Sequence, residues 1–80
     1  MKEIKLEWCE NWIRARFAKL PFENGGIYTG LFWDMAERSG LWVGGTYGSP
    51  MSTALENLTR VEAVNDSEGN FLYHVFKMKK

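Results

Sequence analysis

The sequence predicts a two-layer α+β domain: an antiparallel sheet of about five strands, two β-hairpins plus an N-terminal strand, packed against one helix with an optional second short helix. Three observations predict it. Two polar runs end in glycine between aromatic and aliphatic stretches, Ala36-Glu37-Arg38-Ser39-Gly40 and Asn65-Asp66-Ser67-Glu68-Gly69. Each suits a hairpin connection whose glycine takes the left-handed conformation that a Cβ resists. Residues 3–8 alternate apolar with charged, and residues 9–20 then change to a helical period.

The first strand sets Ile4, Leu6 and Trp8 against Glu3, Lys5 and Glu7, one face for a core and one for water. In residues 9–20 the apolar positions Cys9, Ile13, Phe17 and Leu20 recur every three or four residues. Glu7 and Glu10 lie at the front, Arg16 and Lys19 at the back and Pro21 just beyond, which matches a helix dipole and a helix stop. The competing reading turns the chain at Glu10-Asn11 and makes Ile13, Ala15 and Phe17 one face of a second strand.

After the break at Asn24-Gly25-Gly26, the run from Ile27 to Met35 pairs across the first polar turn with Leu41-Trp42-Val43. Residues 31–38 could instead form a short helix capped by Gly40, since Met, Ala, Glu and Arg favour helices. The hairpin is preferred because the residues after the glycine are strand-like. Residues 44–50 read as a loop. Ser52 then caps a short helix over residues 53–58. The last hairpin is the clearest element, with strands at 60–64 and 71–78. Its second strand has two apolar faces, Phe71-Tyr73-Val75 and Leu72-Phe76-Met78.

With 80 residues, 45% apolar and 15% aromatic, the chain makes one domain, residues 1–80, whose aromatics offset its short length. Ten basic residues balance ten acidic ones, six of each sign through Gly40 and four of each beyond. Bulk attraction to DNA or to an anionic membrane is thereby excluded. The single Cys9 leaves no disulfide framework and no thiolate zinc site within one chain. No segment has the apolar length of a signal peptide or membrane span, so a soluble cytoplasmic protein is expected.

No constellation for catalysis, metal or cofactor emerges. His74 is the only histidine and has no signalled carboxylate or nucleophile beside it. Cys9 reads as core. Asp34 reads as a solvent-facing carboxylate or a partner of Arg38. The glycine pairs lack the strand–loop–helix setting and the lysine of a phosphate cradle. The aromatic surplus is the remaining signal. It points to a non-enzymatic protein-binding module, a small accessory or inhibitory protein that meets a protein partner or a second copy through an aromatic sheet face or edge. Trp33, Trp42, Phe71 and Tyr73 are the candidate interface residues. The alternative is a single-stranded nucleic-acid binder using Trp12, Arg14, Arg16 and Lys19, because bases stack on aromatics beside cations. A small enzyme of unknown reaction ranks third.

Overall fold

Helical periodicity wins over alternation at the N-terminus. The computed structural model describes residues 3–19, 22–43 and 49–79. In it the expected strand at 3–8 is absent: residues 3–5 are irregular, and helix α1 spans Leu6–Phe17. Cys9, Ile13 and Phe17, each four residues apart, form its buried stripe. Trp8 is 42% exposed, so Ile4, Leu6 and Trp8 never form a buried strand face. A helix satisfies its own backbone and needs only an apolar stripe, whereas a strand needs a neighbour for its hydrogen bonds. The helix read at 9–20 therefore exists but starts at Leu6, and Leu20 lies outside the described residues.

The one-turn helix α2 (Phe22–Gly25) leads into a two-residue strand, β1 (Ile27–Tyr28), and the chain then enters helix α3 (Thr29–Arg38). The expected first hairpin does not exist. Phe32 and Ala36, one turn apart, are fully buried, and Asp34 pairs with Arg38 at 3.1 Å along the outer side. Gly40 does adopt positive φ, +77°, but it caps this helix. Its N–H donates to the Glu37 carbonyl at 3.0 Å and the Leu41 N–H donates to the Ala36 carbonyl at 3.1 Å. That pair of bonds is a Schellman cap. Leu41 and Trp42 then pack against the core while Val43 is exposed.

Helix α4 (Pro50–Leu58) starts earlier than the 53–58 expected. Ser49, not Ser52, is its N-cap: the Ser49 Oγ accepts from the Ser52 N–H at 3.2 Å, and Pro50 occupies the first turn, where a missing N–H is harmless. Thr59 ends α4 by donating its Oγ1–H to the Leu55 carbonyl at 2.7 Å, and it opens strand β2 (Thr59–Asn65). Strand β3 (Phe71–Met78) returns antiparallel. This last hairpin forms as the sequence indicates. Asp66 closes it, donating its N–H to the Asn70 carbonyl and accepting on Oδ1 from the N–H groups of Glu68 and Asn70, each at 2.9 Å.

Among the described residues the sheet thus has three strands in the order β1-β3-β2, not about five, and the helices that accompany it are α1, α3 and α4 rather than one. The α+β class stands. Cys9, Ile13 and Phe17 of α1 meet Met51, Ala54 and Leu55 of α4, while Ile27, Phe32, Ala36 and Phe76 join the same cluster from β1, α3 and β3.

Candidate interaction surface

Register decides which side chains share a sheet face. Ile27 and Val61 both oppose Phe76, and Ala63 opposes His74. This face meets the helices through the Phe76 ring, which lies edge-on to Phe32 at 5.1 Å and to Trp33 at 6.3 Å. The outer face carries Tyr28 and Glu62 opposite Val75, Arg60 opposite Lys77, and Val64 opposite Tyr73. Between Val64 and Asn65 the register slips, with Val64 opposite Tyr73 but Asn65 opposite Phe71. Leu72 is left over as the extra residue of a β-bulge. Phe71 therefore joins His74, their rings 4.8 Å apart, and the expected Phe71-Tyr73-Val75 face is split.

The hairpin outruns the helices. Val75 and Phe76 are buried, yet every residue from Asn65 to His74 is exposed. Phe71 is 56% exposed, Leu72 53% and Tyr73 41%. These residues form an arm, and the molecule with it measures 48 × 24 × 20 Å along its principal axes. Because β1 pairs with β3 only at Phe76 and Val75, β3 has no neighbour on that side along the arm among the described residues. The other edge of β2 has no strand beside it among the described residues, although α4 covers it at Thr59, whose N–H bonds to the Leu55 carbonyl.

The four expected interface residues divide into three places. Trp33 and Trp42 lie against each other at 4.7 Å, half-buried beside the helical core. Phe71 sits at the arm with His74. Tyr73 is on the opposite face, edge-on to Tyr28 at 5.4 Å. The basic residues of the nucleic-acid reading are also dispersed. Trp12 is half-buried, edge-on to Phe32 at 5.4 Å, and the Arg16 guanidinium lies over its ring at 5.3 Å. That ring face is already occupied by a cation. Arg14 points elsewhere, 3.5 Å from the Asn11 Oδ1, and Lys19 is exposed past the helix end.

Chemistry at the remaining candidates follows from burial. Cys9 is fully buried, and burial together with Glu10 pushes its thiol above the ordinary range, so it is a neutral thiol at pH 7. Among the described residues no group of three or more His, Cys, Asp or Glu is placed to hold a metal ion, and no helix is long and apolar enough to cross a membrane. The outer face of β2 carries a small charge network. Arg60 pairs with Glu62, which Lys77 reaches at 3.4 Å, and the Arg60 hydrogen bond holds the Glu62 carboxyl below its usual range. Arg60 also donates to the Met78 carbonyl at 3.1 Å. On the other side of this strand an open notch of about 130 Å³ is lined by Leu55, Glu56, Thr59, Arg60, Val61 and Phe76.

Neither Tyr28 nor Leu72 is among the interface residues the sequence singles out, and the sequence does not say which sheet edge is open. The alternation Arg60-Val61-Glu62-Ala63 was the available signal for the edge of β2. No protein-family model, curated protein or solved structure matches the chain, so the function rests on this geometry.

Proposed function

We propose that the chain is a non-enzymatic protein-binding module, an accessory or inhibitory protein that presents its hairpin arm to another protein. The observation that carries this reading is the arm itself: Phe71, Leu72 and Tyr73 are each more than two-fifths exposed on a segment that no helix among the described residues covers. Three successive large apolar side chains left exposed, one on each face and one at the bulge, are more than folding of the arm requires and suit a surface that meets a partner. Aromatic side chains also supply contact area at low entropic cost. The test is recovery of a partner from extracts of the native host on immobilised protein, comparing the wild type with Phe71→Ser/Leu72→Ser. The partner is expected on the wild type, retained at high salt and lost on the variant with the fold intact by circular dichroism. Equal recovery on both proteins, or salt-labile recovery of nucleic acid, overturns the reading, since phosphate contacts release counterions and weaken steeply with salt.

A further inference from the structure

We propose that the open edge of β2 pairs with the same edge of a second copy, antiparallel, about a two-fold axis at Val61, to give a continuous six-stranded sheet. This rests on reading the sheet as a protein-binding surface and names one of its partners, but it uses a different part of the sheet from the arm. Two independent features of the strand select it.

The first is the direction of the backbone groups. In an antiparallel pair, successive residues alternately direct their N–H and C=O toward and away from the neighbouring strand. The Lys79 N–H donates to the Leu58 carbonyl and the Asp66 N–H donates to the Asn70 carbonyl. The even-numbered residues between, Arg60, Glu62 and Val64, therefore bond to β3. Val61 and Ala63 direct both groups to the open edge, where the described residues place no strand. The Thr59 N–H is consumed by the Leu55 carbonyl, which leaves its own carbonyl for the edge. A two-fold axis at Val61 matches these groups except the Ala63 carbonyl, which stays with solvent because the Thr59 N–H facing it is already taken. Val61 exchanges both bonds with Val61 of the second copy, and each Ala63 N–H meets the Thr59 carbonyl of the other.

The second feature is charge. This register sets Arg60 directly opposite Glu62 of the second copy, and Glu62 opposite its Arg60, at the closely spaced non-hydrogen-bonded positions where cross-strand side chains interact most strongly. Moving the axis one residue to Glu62 would place two like carboxylates face to face. Charged residues on a strand edge ordinarily discourage pairing. Here the opposite signs two residues apart make the edge complementary to itself. Arg60 keeps its bonds to Glu62 and the Met78 carbonyl, since its guanidinium has five donors. On the helix-side face, Val61, which is 55% exposed, packs against its counterpart at the rim of the notch, and the small Ala63 passes Thr59 of the other copy. An interface of this size is of the weak, reversible class.

Sedimentation velocity from about 10 μM to about 1 mM tests it, a range suited to weak interfaces. The wild type is expected to show a concentration-dependent monomer–dimer equilibrium. Arg60→Glu and Glu62→Arg should each weaken it at least about tenfold, because like charges then face each other. An equimolar mixture of the two variants should restore dimerisation, since each charge again meets its opposite. Val61→Pro should abolish dimerisation while keeping the fold, because that N–H does not bond to β3 and edge positions of this kind tolerate proline. In a Cys9→Ala background, Val61→Cys should cross-link on mild oxidation, the two Cα atoms being about 5.5 Å apart in a hydrogen-bonded pair. Ala63→Cys should not. A wild type monomeric throughout, charge variants that dimerise unchanged, or a mixture that fails to recover would each overturn the proposal. None of these substitutions touches Phe71 or Leu72, so host-partner recovery by the arm is expected to persist in the charge variants and is scored separately.

Discussion

Single residues determine where this chain bends. Gly26 enters β1 at φ +76°, and a Cβ built there would lie 2.8 Å from the Phe76 carbonyl oxygen and 3.2 Å from the Val75 Cγ2. Both the conformation and the close approach exclude a side chain. Gly26→Ala is expected to destabilise the fold by about 1–3 kcal/mol. Gly25→Ala, whose Cβ meets nothing within 4 Å, should stay within about 0.5 kcal/mol. Equal melting temperatures for the two variants would contradict the packing of β1 on β3. Asp66 governs the hairpin turn in a pH-dependent way. The Asn70 backbone N–H, reinforced by that of Glu68, holds its carboxyl below the usual range. The unfolded chain therefore binds this proton more readily. The contribution is present above the ordinary carboxylate range, near about pH 4, and is lost as pH falls through the depressed folded value. Asp66→Ala should lower stability at neutral pH and flatten the acid limb of a melting-temperature profile. An acid limb as steep as that of the wild type would show that the turn bonds do not carry it.

Elements settle the question that residue preferences leave open. The segment at 31–38 suits a strand by its aromatics and a helix by its Met, Ala, Glu and Arg. It becomes α3 because Phe32 and Ala36 reach the core from one helical stripe and Gly40 closes its C-terminus. For the β2–β3 hairpin, backbone alternation makes a checkable statement. In a sample dilute enough for sedimentation to show monomer, the amides of Val61 and Ala63 should exchange with solvent far faster than those of Glu62 and Val64, which bond to β3. Uniform protection along β2 in the monomer would mean that another segment covers the edge.

Over the whole molecule, a compact body carries a protruding arm. The Cα radius of gyration is 13.1 Å, above the roughly 12 Å of a compact domain of this length. Core residues are correspondingly few, so each bears a large share of the stability. Phe32 is fully buried and its ring touches Trp12, Trp33 and Phe76. Phe32→Ala is expected to cost about 3–5 kcal/mol, against a total of roughly 4–12 kcal/mol for a domain of this size. Denaturant titration should show a large drop in midpoint or outright unfolding. A loss below about 1 kcal/mol would place Phe32 outside a single shared core.

The last hairpin, the helical stripe Cys9, Ile13 and Phe17, the left-handed glycines at 40 and 69 and the pairing of Asp34 with Arg38 were legible in the residues alone. Each depends on contacts between near neighbours along the chain, where turn chemistry and periodicity act directly. The N-terminal strand and the first hairpin do not form because alternation over six residues and aromatic content over nine are compatible with either element. The choice was made by distant partners: α4 offered α1 a helix to pack on, and β3 accepted only two residues of β1 before α3 was needed to cover Phe76. The surfaces left for binding could not be read from composition either. Whether Trp33, Phe71 or Tyr73 faces solvent depends on a one-residue bulge at Leu72 and on how far the helices reach along the sheet, and both are decided by packing between segments far apart in the chain.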